Sequence, residues 1–136
     1  MADAPTGEDA DLLLRLLELY VSEPVAAARA FMRTIPAGRT FAELREEYPP
    51  GSIGFRQIDA VMAFWETVGS LLKHHLLSED LAFDTFLDAP PWPQMEVAIQ
   101  SLREERDNPY EGENIEHAYQ RSLVWLRKRQ SEQPSA

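Results

Sequence analysis

Apolar residues recur every three to four positions along almost the whole chain, which is the period of an α-helix. In the first such segment, one apolar stripe is formed by Leu12, Leu13, Leu16, Leu17 and Tyr20. Prolines and glycines interrupt the pattern between helices, and no alternating apolar and polar stretch is long enough to require a strand. The pattern therefore predicts an all-α protein, a compact bundle of about six or seven helices.

The longest periodic segment predicts a central helix over about residues 53–75. Its apolar positions are Ile58, Val61, Met62, Trp65, Val68, Gly69, Leu72 and Leu76. They span about 120° of arc, which is typical of a helix that neighbours contact on more than one side. A glycine costs about 1 kcal/mol in a helix interior. We therefore expect Gly69 to lie where another helix, or the indole of a neighbour, comes close.

The chain length favours one domain, since 136 residues lie within the usual size range and 44% of them are hydrophobic. We expect a single helical domain over residues 8–130, with flexible ends at 1–7 and 131–136. Thr40 and Glu43 have the spacing of a capping box, in which each side chain binds the other residue's backbone N–H. This pair predicts a short helix that begins after Thr40.

Composition excludes several classes of protein. Cysteine is absent, which rules out disulfides, thiolate metal sites and a cysteine nucleophile. No apolar run approaches the roughly 20 residues of a membrane span, and the first residues lack a signal peptide's features. The net charge of −10 is divided equally between the two halves, which argues against binding to nucleic acid or anionic lipid. We therefore expect a cytoplasmic protein.

Catalytic and metal-binding signatures are missing. The sequence contains no Gly-x-Ser-x-Gly elbow, no phosphate-binding loop and no His-Glu-x-x-His motif. His74 and His75 are adjacent, so a helix would point them about 100° apart. His117 follows Glu113 by four positions, a spacing that could place both on one metal, but no complete ligand set accompanies them. No catalytic residue, metal or cofactor is therefore predicted.

Glu66 lies about 100° from Trp65, at the edge of the buried arc. In one interpretation it is a partly buried acid or base that works with Asp80, Asp84 or His75 near the end of the central helix. In the other it has a structural role, either paired with an arginine such as Arg103 or exposed at the rim. The structural interpretation is favoured, because a catalytic pair needs a partner that the sequence does not identify.

Four acidic residues lie close together downstream: Glu79, Asp80, Asp84 and Asp88. Such carboxylates could bind a hard cation such as calcium or magnesium. The spacing differs from that of an EF-hand loop, and no glycine lies within the cluster. We therefore interpret it as the solvated start of a helix.

Three aromatic residues lie outside the main apolar stripes. Trp92 and Tyr110 are beside predicted loops, and Trp125 is off the inward face of the last helix. They are candidates for a protein interface, because aromatic residues are enriched at binding hot spots. The alternative is that each covers the edge of the protein's own core.

The segment from Phe64 to Phe86 resembles a bacterial family of small helical proteins of unknown function. The shared features are an aromatic-Glu-x-x-Gly helix, a Leu-Leu turn and an Asp-Leu-x-x-Asp-x-Phe helix. The similarity extends over residues 12–106, and the positions that match the motif include Glu66, Gly69, Asp80 and Asp84. The resemblance implies a helical fold and assigns no activity.

These observations favour a non-enzymatic cytoplasmic module for protein interaction or regulation. Its candidate partners are another protein or a second copy of this chain. The alternative is a small enzyme, or a protein that binds a ligand or metal through Glu66 and nearby carboxylates or histidine. The sequence leaves open whether a small molecule binds.

Overall fold

The computed structural model describes residues 4–86 and 88–132, which contain seven α-helices and no strand. The helices are α1 (Gly7–Val21), α2 (Glu23–Met32), α3 (Phe41–Glu47), α4 (Ile53–Lys73), α5 (Glu79–Thr85), α6 (Trp92–Glu105) and α7 (Glu113–Glu132). The predicted all-α class is confirmed. Of the ends predicted to be flexible, residues 1–3 and 133–136 lie outside the described residues.

Helix α4 is the central helix, and its most extensive packing is with α2 and α7. Its buried residues are Ile58, Val61, Phe64, Trp65, Val68, Gly69 and Leu72. This agrees with the predicted stripe except that Met62 is half-buried, Phe64 is buried as well, and Leu76 lies beyond the helix. Leu76 is 62% exposed, because α4 ends at Lys73 and the chain turns at His75, where φ is 57°.

Short polar side chains set the starts of several helices. Thr6 and Asp9 form a capping box at α1, and the predicted box of Thr40 and Glu43 is confirmed at α3. The Asp9 carboxylate also accepts a hydrogen bond of 3.0 Å from the backbone N–H of Ser78, the residue that caps α5. Asp9 therefore links the beginnings of two helices that are far apart in sequence.

Four aromatic rings form the centre of the core. Tyr20, Phe64, Trp65 and Phe86 have ring centroids 4.9–6.0 Å apart, several of them in edge-to-face geometry. Such pairs contribute about 0.5–1.5 kcal/mol beyond the area they bury. They connect α1 and α4 to the residue that follows α5.

Gly69 lies where α4 and α7 cross. A Cβ atom at this position would lie 2.0 Å from the carbonyl oxygen of Asn114 and 2.6 Å from its carbonyl carbon. Those are backbone atoms of α7, so no side-chain rotation could make room. The expectation of a close helix crossing at Gly69 is confirmed, and any larger residue would separate the two helices.

We predict that Gly69→Ala strongly destabilises the protein, by at least the 1–3 kcal/mol typical of an overpacked core. Gly7→Ala is the matched control, because Gly7 is also helical and a Cβ there would meet nothing within 4 Å. Urea unfolding of both variants measures the difference. Equal stability of the two variants would contradict the close crossing.

Candidate functional site

Glu66 binds the first turn of α7. Its Oε2 accepts a hydrogen bond of 3.1 Å from the Asn114 side-chain amide, and its Oε1 accepts one of 3.3 Å from the Ile115 backbone N–H. The first four N–H groups of a helix have no acceptor within that helix, and this end also carries the positive end of the helix dipole. Glu66 therefore caps α7 from a different helix.

Three positions on one face of α4 hold this end of α7. Glu66 caps it, Gly69 permits the backbone approach, and Lys73 forms an ion pair of 3.0 Å with Glu113. We call this set of contacts the α4–α7 anchor. The role of Glu66 in the structure differs from both predicted forms, since Glu66 is half-buried and bound by α7 and is neither paired with an arginine nor exposed at the rim.

Arg103 holds α6 to the loop before α7 and to α7 itself. Its Nε donates to the carbonyl oxygen of Glu111 at 2.7 Å, and its Nη2 lies 2.8 Å from Glu116. The guanidinium also lies 5.6 Å from the ring centroid of Trp92. The guanidinium of Arg103 is therefore bound to the Glu111 carbonyl and to Glu116, and it does not pair with Glu66.

Of the three candidate interface aromatics, Tyr110 alone is largely exposed, at 69%. Trp92 follows the alternative interpretation and covers the core: its side chain is 6% exposed, because it begins α6 and packs into the core. Trp125 is half-buried, 6.1 Å from the ring of Phe83, and its indole N–H donates to Asp80 at 2.8 Å.

The acidic residues of α5 begin a helix, and Asp80 and Asp84 are exposed, but their side chains and that of Glu79 also pair with α7, which the sequence did not predict. Glu79 forms two hydrogen bonds with Arg121, at 2.6 and 3.0 Å, which raise the pKa of that arginine. One turn apart along α7, Trp125 contacts Asp80 and Arg129 lies 3.6 Å from Asp84. Exposed pairs of this kind contribute little individually.

The histidines are not assembled with the carboxylates. Burial lowers the pKa of His117, and the nearby charge of Arg121 lowers it further, against an opposing effect of Glu79. Over residues 4–86 and 88–132, no three residues among His, Cys, Asp and Glu are grouped to hold a metal ion.

An open cleft of about 440 Å³ lies between α4 and α6, and we call it the α4–α6 cleft. Its apolar lining includes Phe41, Phe55, Ile58, Met62, Met95, Ala98, Ile99, Leu102 and Ile115. Its polar lining includes Asp59, Glu66, Arg106 and Glu111, and Tyr110 lies at its edge. The sequence indicated only Glu66 and Tyr110, because the cleft exists only once separate helices and a loop are assembled.

Comparison with known families identifies the chain. The model of DUF4760, a domain of unknown function, matches residues 5–122. The chain belongs to the DUF4760 family. The resemblance to a family of unknown function is thereby confirmed, although the match does not itself show the motif. The DUF4760 match spans α1 through the first half of α7, including the α4–α7 anchor.

No curated protein and no solved structure matches the chain significantly. Within the part of the chain that the structure describes, no helix is both long enough and apolar enough to cross a membrane.

We predict that Glu66→Ala destabilises the protein by about 1–3 kcal/mol, because it leaves the Ile115 N–H and the Asn114 amide without their acceptor. Asp59→Ala, which removes an exposed carboxylate two turns earlier on α4, should change stability by no more than about 0.5 kcal/mol. Chemical unfolding checks both. A Glu66→Ala variant as stable as Asp59→Ala would contradict the capping role.

Proposed function

We propose that the protein is a non-enzymatic interaction module whose α4–α6 cleft binds an apolar segment of a partner protein. The candidate polar residues support this reading, because each one joins helices. Glu66 caps α7, Asp80 and Asp84 contact the end of α7, and Arg103 binds Glu116. Glu66 lines the α4–α6 cleft, but Asp80, Asp84 and Arg103 do not, so these residues do not converge on one site as a catalytic pair would.

The cleft itself carries the proposal. Its volume of about 440 Å³ lies within the usual range of binding pockets, about 300–1,000 Å³. Met62, which is half-buried, lines it in front of the buried Met95, and methionine side chains adapt to partners of irregular shape. Tyr110 lies beside them with most of its ring exposed, as is typical of an aromatic anchor. A short apolar segment could bury its side chains here.

The charged residues that line the cleft indicate which charge a partner segment should carry. The lining contains three carboxylates and one guanidinium, and Arg106 is already paired with Glu111 at 2.9 Å. Glu66 is bound only by uncharged donors, and Asp59 has no hydrogen bond or ion pair among the described residues. Because the chain also carries a net charge of −10, a partner segment with lysine or arginine is favoured.

We predict that a short amphipathic peptide of leucine and lysine binds the cleft, and that the same peptide with glutamate in place of lysine binds at least tenfold more weakly. Backbone NMR titration should place the shifted signals at Met62, Met95, Ile99 and Tyr110. Tyr110→Ala should weaken binding of the lysine peptide about tenfold, the loss expected of an anchor residue.

Leu126→Ala is the control, because Leu126 is an exposed apolar residue of α7 that does not line the cleft. It should leave the affinity unchanged. Equal affinity for the two peptides, or shifts outside the cleft, would overturn the proposal. Concentration-dependent self-association that shifts the same signals without peptide would instead assign the cleft to a second copy of the chain.

A further inference from the structure

A second cavity lies beside α2 and has the opposite charge. It measures about 360 Å³, and α2, α4 and the proline-rich segment before α6 contribute to its lining. Its charged residues are Arg29 on α2, Arg33 at the C-cap of α2, and a single carboxylate, Asp88. Two cations against one anion leave a net charge of +1 at this cavity, in a chain whose net charge is −10.

Arg29 is held in place by three contacts. Its Nη1 lies 2.7 Å from Asp88, its Nη2 donates to the Tyr20 carbonyl at 3.2 Å, and its guanidinium lies 3.8 Å from the Tyr20 ring centroid. Its Nε is buried without a hydrogen-bond acceptor in residues 4–86 and 88–132. A buried donor is normally paired, so the acceptors present in this region do not saturate the guanidinium.

Arg33 is more open. Its side chain is 57% exposed, and its Nη1 contacts both oxygens of Asp88 at 3.2 and 3.3 Å. Its Nη2 and Nε form no hydrogen bond with the residues that the structure describes. That edge of a guanidinium is the one that binds a carboxylate or phosphate through two parallel hydrogen bonds.

Asp88 can neutralise only one of the two arginines. Although burial raises the pKa of its carboxyl group, hydrogen bonds from Arg29 and Tyr20 and the charges of both arginines hold that pKa below its ordinary value. Asp88 is therefore fully ionised at neutral pH, and one positive charge is left over.

The remaining lining favours a ligand with an apolar part. The apolar lining that is exposed is Ala89 and Pro93, and behind it Met32, Val61, Trp65 and Pro90 are almost fully buried. The amide of Gln94 adds a polar group that can donate or accept. A bare inorganic ion would not use the exposed apolar surface of Ala89 and Pro93.

We propose that this cavity binds a small organic anion, with its carboxylate or phosphate on Arg33 and its apolar part against Ala89 and Pro93. The site is separate from the α4–α6 cleft and does not depend on the function proposed for that cleft. Benzoate and phenyl phosphate are suitable probes, with inorganic phosphate to test the anion alone and benzyl alcohol to test the apolar part alone.

The experiment is an NMR titration of the full chain at constant ionic strength, and the signals to follow are those of Met32, Arg33 and Gln94. Benzoate or phenyl phosphate should shift them saturably, and both inorganic phosphate and benzyl alcohol should bind at least tenfold more weakly. The stronger of the two aromatic probes identifies the anionic group as carboxylate or phosphate.

Arg33→Gln should weaken binding of that probe at least tenfold, with circular dichroism to verify that the variant is folded. Arg15→Gln is the matched control, because it removes the same charge from an exposed position on α1 that does not line the cavity. If both variants lose the same affinity for the probe, the effect comes from the net charge of the chain and the proposal is overturned. Non-saturable shifts, or equal binding of benzyl alcohol, would also overturn it.

Discussion

The cap that Glu66 provides to α7 is the contact on which the arrangement of the other helices depends. An uncapped helix end would leave backbone N–H groups unsatisfied beside the core, at a cost of about 1–3 kcal/mol for each buried group. Glu66 supplies the acceptor for one of these groups, the Ile115 N–H, and Gly69 allows the two backbones to meet. Once α7 is anchored, its later turns reach α5 and its first turn reaches Arg103.

The same anchor shapes the α4–α6 cleft. Glu66 and Ile115, which are joined by the cap, both line it. The loop that leads into α7 closes one side, and Gly112 allows this loop to approach α6, since a Cβ there would lie 2.7 Å from Ile99. Gly112 also has a φ of 67°, which favours glycine. A substitution in the α4–α7 anchor should therefore also alter the shape of the α4–α6 cleft.

Local signals in the sequence predicted the helices well, because helical periodicity and capping pairs such as Thr40 with Glu43 act over a few residues. The crossing at Gly69 was also predictable, because a glycine destabilises a helix interior and is best explained there by the close approach of another helix. The two partners of Glu66 were not, since one is a backbone N–H, which does not depend on the residue type, and the other is an amide 48 positions away along the chain. Whether Trp92 covers the core or serves an interface could not be decided from its neighbours along the chain, because its burial depends on how the start of α6 packs against other helices.

Native-state hydrogen exchange at the Ile115 amide tests the capping contact most directly. Ile115 is in the first turn of α7, where an amide without an external acceptor exchanges as rapidly as a frayed helix end. The account predicts that this amide is protected nearly as strongly as the amides in the centre of α4. Rapid exchange at Ile115, with α4 still protected, would show that Glu66 does not cap α7 and would contradict the account.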